Sequence, residues 1–466
     1  MPMITMKFGG TSVGDAQRLC EVAAIVRSHL SRRPVVVASA MSGVTDLLLG
    51  TARLALERKK DEGLRNTEEL RRKHLEIVMA LVEPGDARDR LVREQGELID
   101  KLETLFRGVH LLGELSPRSL DAIASFGELL SCMQIAAILE ARGIPARFVD
   151  ARPLIRTDSS YGEAAVDIAV SNDRIRAALL PLVESGVVPV VTGFVASNAE
   201  EITTTLGRSG SDYTASIVGA ALGCSEIWIW TDVDGVMTAD PRVVEGASPL
   251  GEISYREAAE MSYFGAKVIH PKAMQPAIEH GTPIRIKNTF NPSHPGTLIS
   301  SAGNSSAKIV KNVTSIDKLG LVAVEGSGLM GAPGVIARLF AALARVGVNV
   351  MMISQASSEH NVCLIIPEQD CRRAVEELRA ELDPELARKA VEAVRVRDSV
   401  SIIAVVGEGM RGVPGIAART FTAAARADIN VIAIAQGSSE LNISFVVDQS
   451  EAHRAVRAIH DAFDLG

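Results

Sequence analysis

The chain has 466 residues, 47% of them hydrophobic and 23% charged, which excludes a globally disordered protein and supplies enough apolar matter for about three domains. A formal charge of -8 speaks against a general binder of nucleic acid or anionic membrane, but leaves room for a local cationic pocket that holds a phosphate ligand. The five cysteines Cys20, Cys132, Cys224, Cys363 and Cys371 are scattered without CxxC or Cys/His spacing, so a disulfide frame or zinc site is disfavoured and a reducing, cytoplasmic compartment is expected.

The N-terminus has no basic region followed by an apolar core, and apolar runs such as VVPVVTGFVA from Val187 fall short of the ~20 residues that span a bilayer. The expectation is a mature, soluble chain. The first element is MKFGGTSVG, Met6 to Gly14, a short apolar stretch ending in Lys7 and followed by Gly9, Gly10, Thr11 and Ser12. This predicts a lysine at the C-terminal end of a strand, with backbone amides opening into a helix. That edge of an open α/β sheet binds ligands, and helix N-termini favour phosphate. The lysine precedes the glycines, so the order is not that of a Walker loop, and a plain glycine turn with a solvent lysine is the competing reading.

Strand-like runs PVVVASA, IPARFVD, VVPVVTGFVA and EIWIWTD alternate with helical periods over about the first 300 residues, the pattern of an α/β domain with a mostly parallel sheet. The mixed-sign run ERKKDEGLRNTEELRRKHLE from Glu57 reads as a solvated helical face. In TTTLGRSGSDYTAS, glycines again flank a cation and an acid. Arg208 offers a planar fork for a carboxylate or phosphate, and Asp212 falls near a helix start, where it could equally serve as a cap. EIWIWTDVDGVMTADPR sets Thr231 and Asp232 at a strand end and Arg242 after a Pro turn; its Asp232/Asp234 spacing does not continue into a calcium loop. YFGAKVIHP carries Lys267 near a glycine, and its His270, without a partner at metal-ligand spacing, is read as structural. Three glycine-flanked clusters of lysine, arginine and aspartate, with no GxGxxG after a strand, suit phosphoryl transfer better than hydride transfer.

Gly and Ser crowd Ser300 to Lys308, the expected linker. Beyond it, the segment from Gly331, GAPGVIARLFAALARVGVNVMMISQASSEHNVCLIIP, returns from Gly412 as GVPGIAARTFTAAARADINVIAIAQGSSELNISFVVD, in constant register. Each copy predicts a strand, a Pro-Gly helix start, a small-residue helix, two strands joined by a Ser-Ser-Glu turn and a second helix. This βαββα unit needs a fourth strand to become a ferredoxin-like sandwich. Val391 to Asp398 supplies a candidate for the first copy only, so the two copies sharing or exchanging a strand is one solution.

In this order, KFGGTSV, SAMSGVTD, SFGELLS, GRSGSDYTA, WTDVDGVMTADPR, SYFGAKVIHP and KNTFNPSHPGTLI resemble the aspartokinases over essentially the whole chain, most closely the kinase part of fused aspartokinase and homoserine dehydrogenase proteins. The chain stops where their dehydrogenase would begin, so no dehydrogenase activity is expected. The resemblance implies an α/β amino-acid-kinase fold, an open mostly parallel sheet sandwiched by helices, over residues 1–300. A linker at 301–315 and two ferredoxin-like βαββαβ ACT modules at 316–398 and 399–466 follow.

It further implies phosphorylation of the side-chain carboxylate of L-aspartate by ATP with Mg2+, the metal entering with the nucleotide and not on protein ligands alone. Lys7, with the Gly9 and Gly10 amides, would contact the phosphoryl oxygens, and Asp212 would orient the lysines. Lys267, Thr231, Asp232 and Arg242 would hold the nucleotide. Arg208 would pair with the α-carboxylate of aspartate and Glu128 with its α-ammonium, while Ser39, Thr45 and Ser211 complete the pocket and Phe194 adds a wall. Met237 stands where relatives commonly have tyrosine, which implies a modest change in nucleotide affinity.

Ile353 with Gln355, and Ile434 with Gln436, fall at equivalent strand ends, as in members that sense threonine; the glutamines could instead satisfy backbone groups there. The resemblance implies an amino-acid effector, threonine favoured, and a homodimer or homotetramer formed through the ACT modules. No nucleic-acid or membrane partner is implied. A catalytically silent sensor, or a kinase of this fold for another acidic substrate, stands as the alternative.

Overall fold

In the computed structural model, residues 2–266, 269–303, 308–326, 334–355 and 361–466 are described. Lys267, Pro333 and the Ser-Ser-Glu turn of the first repeat lie outside them. The chain forms two bodies, Met1–Val236 with Gly251–Tyr255 and Ile269–Gly303, and Met237–Leu250 with Arg256–Val268 and Asn304–Gly466.

The apolar runs of the first half become strands β1 (Ile4–Phe8), β2 (Pro34–Ala38), β3 (Ala146–Val149), β4 (Val188–Thr192), β5 (Val195–Ser197), β6 (Thr203–Thr205), β7 (Glu226–Thr231), β8 (Glu252–Ser254), β9 (Ile284–Asn288) and β10 (Thr297–Ser300). Between them run helices α1 (Ala16–Ser28), α2 (Val44–Leu56), α3 (Lys60–Leu81), α4 (Asp86–Leu112), α5 (Pro117–Ala141), α6 (Ile168–Glu184), α7 (Gly210–Ala221), α8 (Tyr255–Tyr263) and α9 (Pro271–His280). The main sheet is ordered β3-β4-β2-β1-β7-β9-β10-β8, and only its β9–β10 pair is antiparallel. PVVVA and VPVVT are buried throughout because helices cover both faces, as central parallel strands require.

Two features depart from the expected alternation. The run VVPVVTGFVA is one apolar stretch but two strands: the chain turns at Phe194, whose φ is +67°, so that β4 ends in the main sheet and β5 pairs with β6 in a separate hairpin. Between β2 and β3 the chain makes four consecutive helices instead of one crossover helix. The mixed-sign run from Glu57 lies mostly on α3, which exposes its charges but buries Leu70, His74 and Ile77, while Arg71 pairs with Asp100 and Glu103 on α4. By length and composition α5 could cross a membrane; 78% of its apolar window is buried in this fold, where it serves as a core helix.

The second body comprises β11 (Asn312–Glu325), α10 (Val335–Arg345), β12 (Met352–Gln355), β13 (Asn361–Pro367), α11 (Cys371–Glu381), α12 (Asp383–Ala387), β14 (Ala393–Val406), α13 (Ile416–Arg426), β15 (Ala433–Ala435), β16 (Asn442–Asp448) and α14 (Ala452–Ala462). Its strands form one antiparallel sheet, β12-β13-β11-β14-β16-β15. The missing fourth strand is found here. The long strands β11 and β14 each serve both repeats: Leu319–Glu325 of β11 pairs with β13 and the first half of β14, whereas Asn312–Ile316 pairs with the second half of β14, which in turn pairs with β16. Where the strands pass from one repeat to the other, Lys318 and Ser399, at equivalent positions, adopt φ of +61° and +56°.

The expected linker at 301–315 therefore ends inside a strand, and the expected boundary at 398/399 cuts β14. Pairing that spans two repeats leaves no local mark in either. The boundary at 300 shifts too, because residues 237–250 and 256–268 pack with the repeats. Ala239 and Val244 enter the core of the second repeat, Thr238 Oγ1 lies 3.0 Å from His460 Nε2, and Arg457 donates to the Val243 carbonyl.

Residues 256–263 of α8 are held by a buried ion pair, Lys311 Nζ to Glu257 Oε2 at 2.8 Å with 4% and 0% side-chain exposure, and Glu257 Oε1 accepts from the Glu408 amide. Removing one partner leaves the other charge buried and without this counter-ion. Lys311→Met is expected to destabilise this body by about 3–5 kcal/mol, read as a lowered urea midpoint.

Candidate active site

The C-terminal ends of β1, β2, β4 and β7 lie side by side, so the residues just past them converge: Lys7 to Gly10, Ser39 to Ser42, Gly193 with Phe194, and Thr231 with Asp232. A cavity of about 330 Å³ opens here, and Lys7, Gly10, Ser39, Thr45, Glu128, Phe194, Ser211 and Asp212 are on its wall. Tight backbone approaches shape it. A Cβ on Gly127 would meet the Ala40 methyl at 2.7 Å, which brings α5 and hence Glu128 against the loop after β2. A Cβ on Gly193 would meet Ser211 Cβ at 2.6 Å, so the first turn of α7 seats directly on the exit of β4.

Lys7 Nζ and Asp212 Oδ1 are 2.6 Å apart, with side-chain exposures of 12% and 15%. Asp212 is thus paired with the strand-end lysine, and α7 starts from Ser209, in left-handed conformation (φ +55°), without a side-chain cap. The cationic end of Lys7 is presented at the mouth of a helix N-terminus, where positive charge and free amides favour a phosphate.

Glu128 is the other ionisable group that stands out on the wall. It is 4% exposed, its Oε2 has no hydrogen-bond partner among the described residues, and burial pushes its carboxyl up to about 8, against the lowering effect of the Ala40 amide and the Lys7 charge. A carboxyl held this way awaits a cation. Asp46, Ser42 and Ser209 share the wall, although the site residues assigned from sequence omit them; all three lie inside the motifs that carry the resemblance.

The other residues assigned from sequence fall as follows. The Gly9 amide donates to the Trp230 carbonyl at 3.3 Å, extending the β1–β7 ladder, so it is Gly10 that faces the cavity. Arg208 is exposed and off the cavity wall. Thr231 and Asp232, linked at 3.1 Å, belong to the first body, whereas Met237 and Arg242 belong to the second. There the Met237 carbonyl accepts from Asn312, and Arg242 pairs with Asp240 at 2.5 Å. Lys267 lies outside the described residues. His270 caps α9, its Nδ1 accepting from the Lys272 amide, which is the structural role expected of it.

In the second body, the edge strands β12 and β15 approach each other, with Ser354 Oγ donating to the Ile434 carbonyl at 3.0 Å. Ile353 and Ile434 are 46% and 47% exposed there, and Gln355 and Gln436 are exposed beside them. The two equivalent pairs are thereby brought to one place.

A parallel sheet with a lysine–aspartate pair and a buried carboxyl at its C-terminal edge is the class described by the amino acid kinase family, whose profile matches residues 2–288; the ACT domain profile matches residues 322–382 and 403–463. The chain is 39% identical to a bifunctional aspartokinase/homoserine dehydrogenase of Arabidopsis thaliana over 98% of its length and 51% of that protein, and so spans about half of that relative. It is 36% identical to aspartokinase 3 of Arabidopsis thaliana, over 98% of this chain and 81% of that one. Escherichia coli aspartokinase III, solved with aspartate and ADP, superposes with a TM-score of 0.82 at 30% identity, covering 99% and 100% of the two chains; its form with lysine and aspartate gives 0.80. The chain belongs to the amino acid kinase family, in its aspartokinase branch.

Proposed function

We propose that this chain is an aspartate kinase that transfers the γ-phosphoryl group of ATP to the side-chain carboxylate of L-aspartate, giving 4-phospho-L-aspartate and ADP. The observation that carries the reading is the single cavity wall holding both the Lys7–Asp212 pair and the buried, half-unpartnered Glu128. These are a phosphoryl-facing cation and an ammonium-facing carboxyl, the two ends that an amino-acid phosphoryl acceptor needs.

The nucleophile is a carboxylate with an ordinary pKa near 3.9, ionised at neutral pH, so the reaction needs no general base. A carboxylate oxygen bonds to the γ-phosphorus as the bond to the bridging oxygen of ADP breaks. Lys7 neutralises charge on the transferring group, and Asp212 orients Lys7. Glu128 pairs with the α-ammonium, Arg208 closes on the α-carboxylate, and Ser39, Thr45 and Ser211 complete the pocket. Thr231 and Asp232, at the exit of β7, hold the nucleotide. Mg2+ would be carried in on the ATP phosphates and would screen their charge; Asp46, Glu128 and Asp212 are the carboxylates on the cavity wall.

The adjoining edges of β12 and β15 suit an end-product amino acid, threonine favoured, which alters activity by binding one state of the enzyme better than another. Exposed isoleucines on those edges support self-association through the repeats. Five free thiols suit a reducing compartment such as the cytoplasm.

The test is an ATP- and aspartate-dependent hydroxamate assay, with and without threonine and lysine. Aspartyl hydroxamate is expected, and its absence refutes the activity. Calorimetry on a Gln355→Ala, Gln436→Ala double variant is expected to show effector affinity lowered at least tenfold; unchanged binding overturns the effector site.

A further inference from the structure

The helix that carries Glu128 also carries a second buried carboxylate that is not on the cavity wall. Asp121 is 3% exposed and lies seven residues before Glu128 on α5, two helical turns along the same face. Its partners all come from outside the helix. Oδ2 accepts from the Gly162 amide and the Thr205 amide, both at 2.9 Å, and Oδ1 accepts from Thr205 Oγ1 at 2.8 Å.

Thr205 is the last residue of β6, and the chain runs from it through Leu206 and Gly207 to Arg208, Ser211 and Asp212. Neighbouring bonds hold the same corner: the Ala164 amide donates to the Thr205 carbonyl, and the Leu206 amide to the Phe194 carbonyl. Asp121 therefore joins the helix bearing Glu128 to the strand whose exit delivers Arg208, Ser211 and Asp212. This carboxylate is a rigid joint, because Thr205 is buried and loss of its acceptors strands its amide and hydroxyl where water does not reach, while the Gly162 amide ties in an exposed turn.

We infer that Asp121 is a positioning residue for the amino-acid substrate, setting the spacing between Glu128 and the Arg208–Ser211 segment. This rests on the proposed reading of the cavity as the aspartate site. Binding an α-amino acid at both ends requires those two elements at one separation, and small displacements of positioning groups are costly. Of the nucleotide-side residues, Thr231 ends a different strand, β7, and Asp232 follows it; neither bonds to this joint.

The test is steady-state kinetics of Asp121→Asn in the full chain, with ADP release measured against aspartate and ATP in turn. The isosteric amide keeps one acceptor oxygen but turns its NH2 group toward donors. The expected result is an aspartate KM raised about tenfold with an ATP KM within twofold of the parent. Thr205→Val, which removes only the Oγ1 bond, is expected to raise the aspartate KM about threefold and serves if the first variant does not fold. Asp121→Glu, with the charge kept but its reach altered, is expected to give a KM between those of parent and Asn variant. An unchanged aspartate KM in a folded variant, or equal rises for aspartate and ATP, overturns the positioning role. Absence of aspartate-dependent ADP release from the parent chain overturns the reading of the cavity instead.

Discussion

Lys7→Ala lowers the rate of aspartyl phosphate formation by about 1,000-fold, equivalent to about 4 kcal/mol of transition-state stabilisation. The side chain is almost enclosed, and its ammonium group is 2.6 Å from Asp212 at the edge of the cavity. Truncation removes the cation that meets the transferring phosphoryl group and leaves Asp212 as an unscreened negative charge facing an incoming polyanion. Both effects act on the same step. The loss should fall on kcat, with effector binding intact, since the second body contains neither residue. Hydroxamate formation within tenfold of the parent rate would contradict the role given to Lys7.

Glu128→Gln raises the KM for aspartate by about 100-fold, the scale for losing one partner of a buried charge pair. The pH dependence is more diagnostic. In the free protein the Glu128 carboxyl is pushed up to about 8 by burial, so at pH 7 it is mostly protonated, and pairing with an α-ammonium requires that the proton leave. Aspartate binding at pH 7 should therefore release close to one proton, measurable by calorimetry in buffers of different ionisation enthalpy. The parent kcat/KM for aspartate should climb with pH and level off above about 8, and the glutamine variant should lack that rise.

The same group carries a stability cost of defined sign. Its folded pKa lies above its unfolded value, so the folded state binds more protons and stability falls as pH rises from about 4.5 towards 8. Glu128→Gln should accordingly be more stable than the parent at pH 8 and equal to it below pH 4. Bound aspartate should close that gap in the parent by supplying the missing cation. A parent and variant with identical stability profiles across this range would show that Glu128 is not held neutral.

Much of this was legible in sequence, for reasons tied to particular residues. Lys7 sits where a short apolar strand meets two glycines, and strand ends followed by glycine are local facts. The repeat was equally plain, because β13 and β16, α10 and α13, and α11 and α14 fall at equivalent positions in the two copies. Asp212 was ambiguous: an acid in the first turn of a helix reads as a cap whether or not a lysine waits nearby. Only the fold brings it within 2.6 Å of Lys7, across almost half the chain.

Local pattern and motif order determined that this chain carries an α/β amino-acid-kinase half followed by a duplicated ACT module, because strand periodicity, glycine placement and repetition are written residue by residue. Tertiary structure decided which groups act together and where the bodies divide. Glu128 became an anchor only when burial left one of its oxygens unpartnered, and Asp121 became a joint only when Gly162 and Thr205 met it. Residues 237–250 and 256–266, expected in the kinase half, joined the body of the repeats because its core takes in Ala239 and Val244 and its Lys311 pairs with buried Glu257. Desolvation and long-range pairing are properties of what surrounds a residue, and those surroundings come from distant parts of the chain.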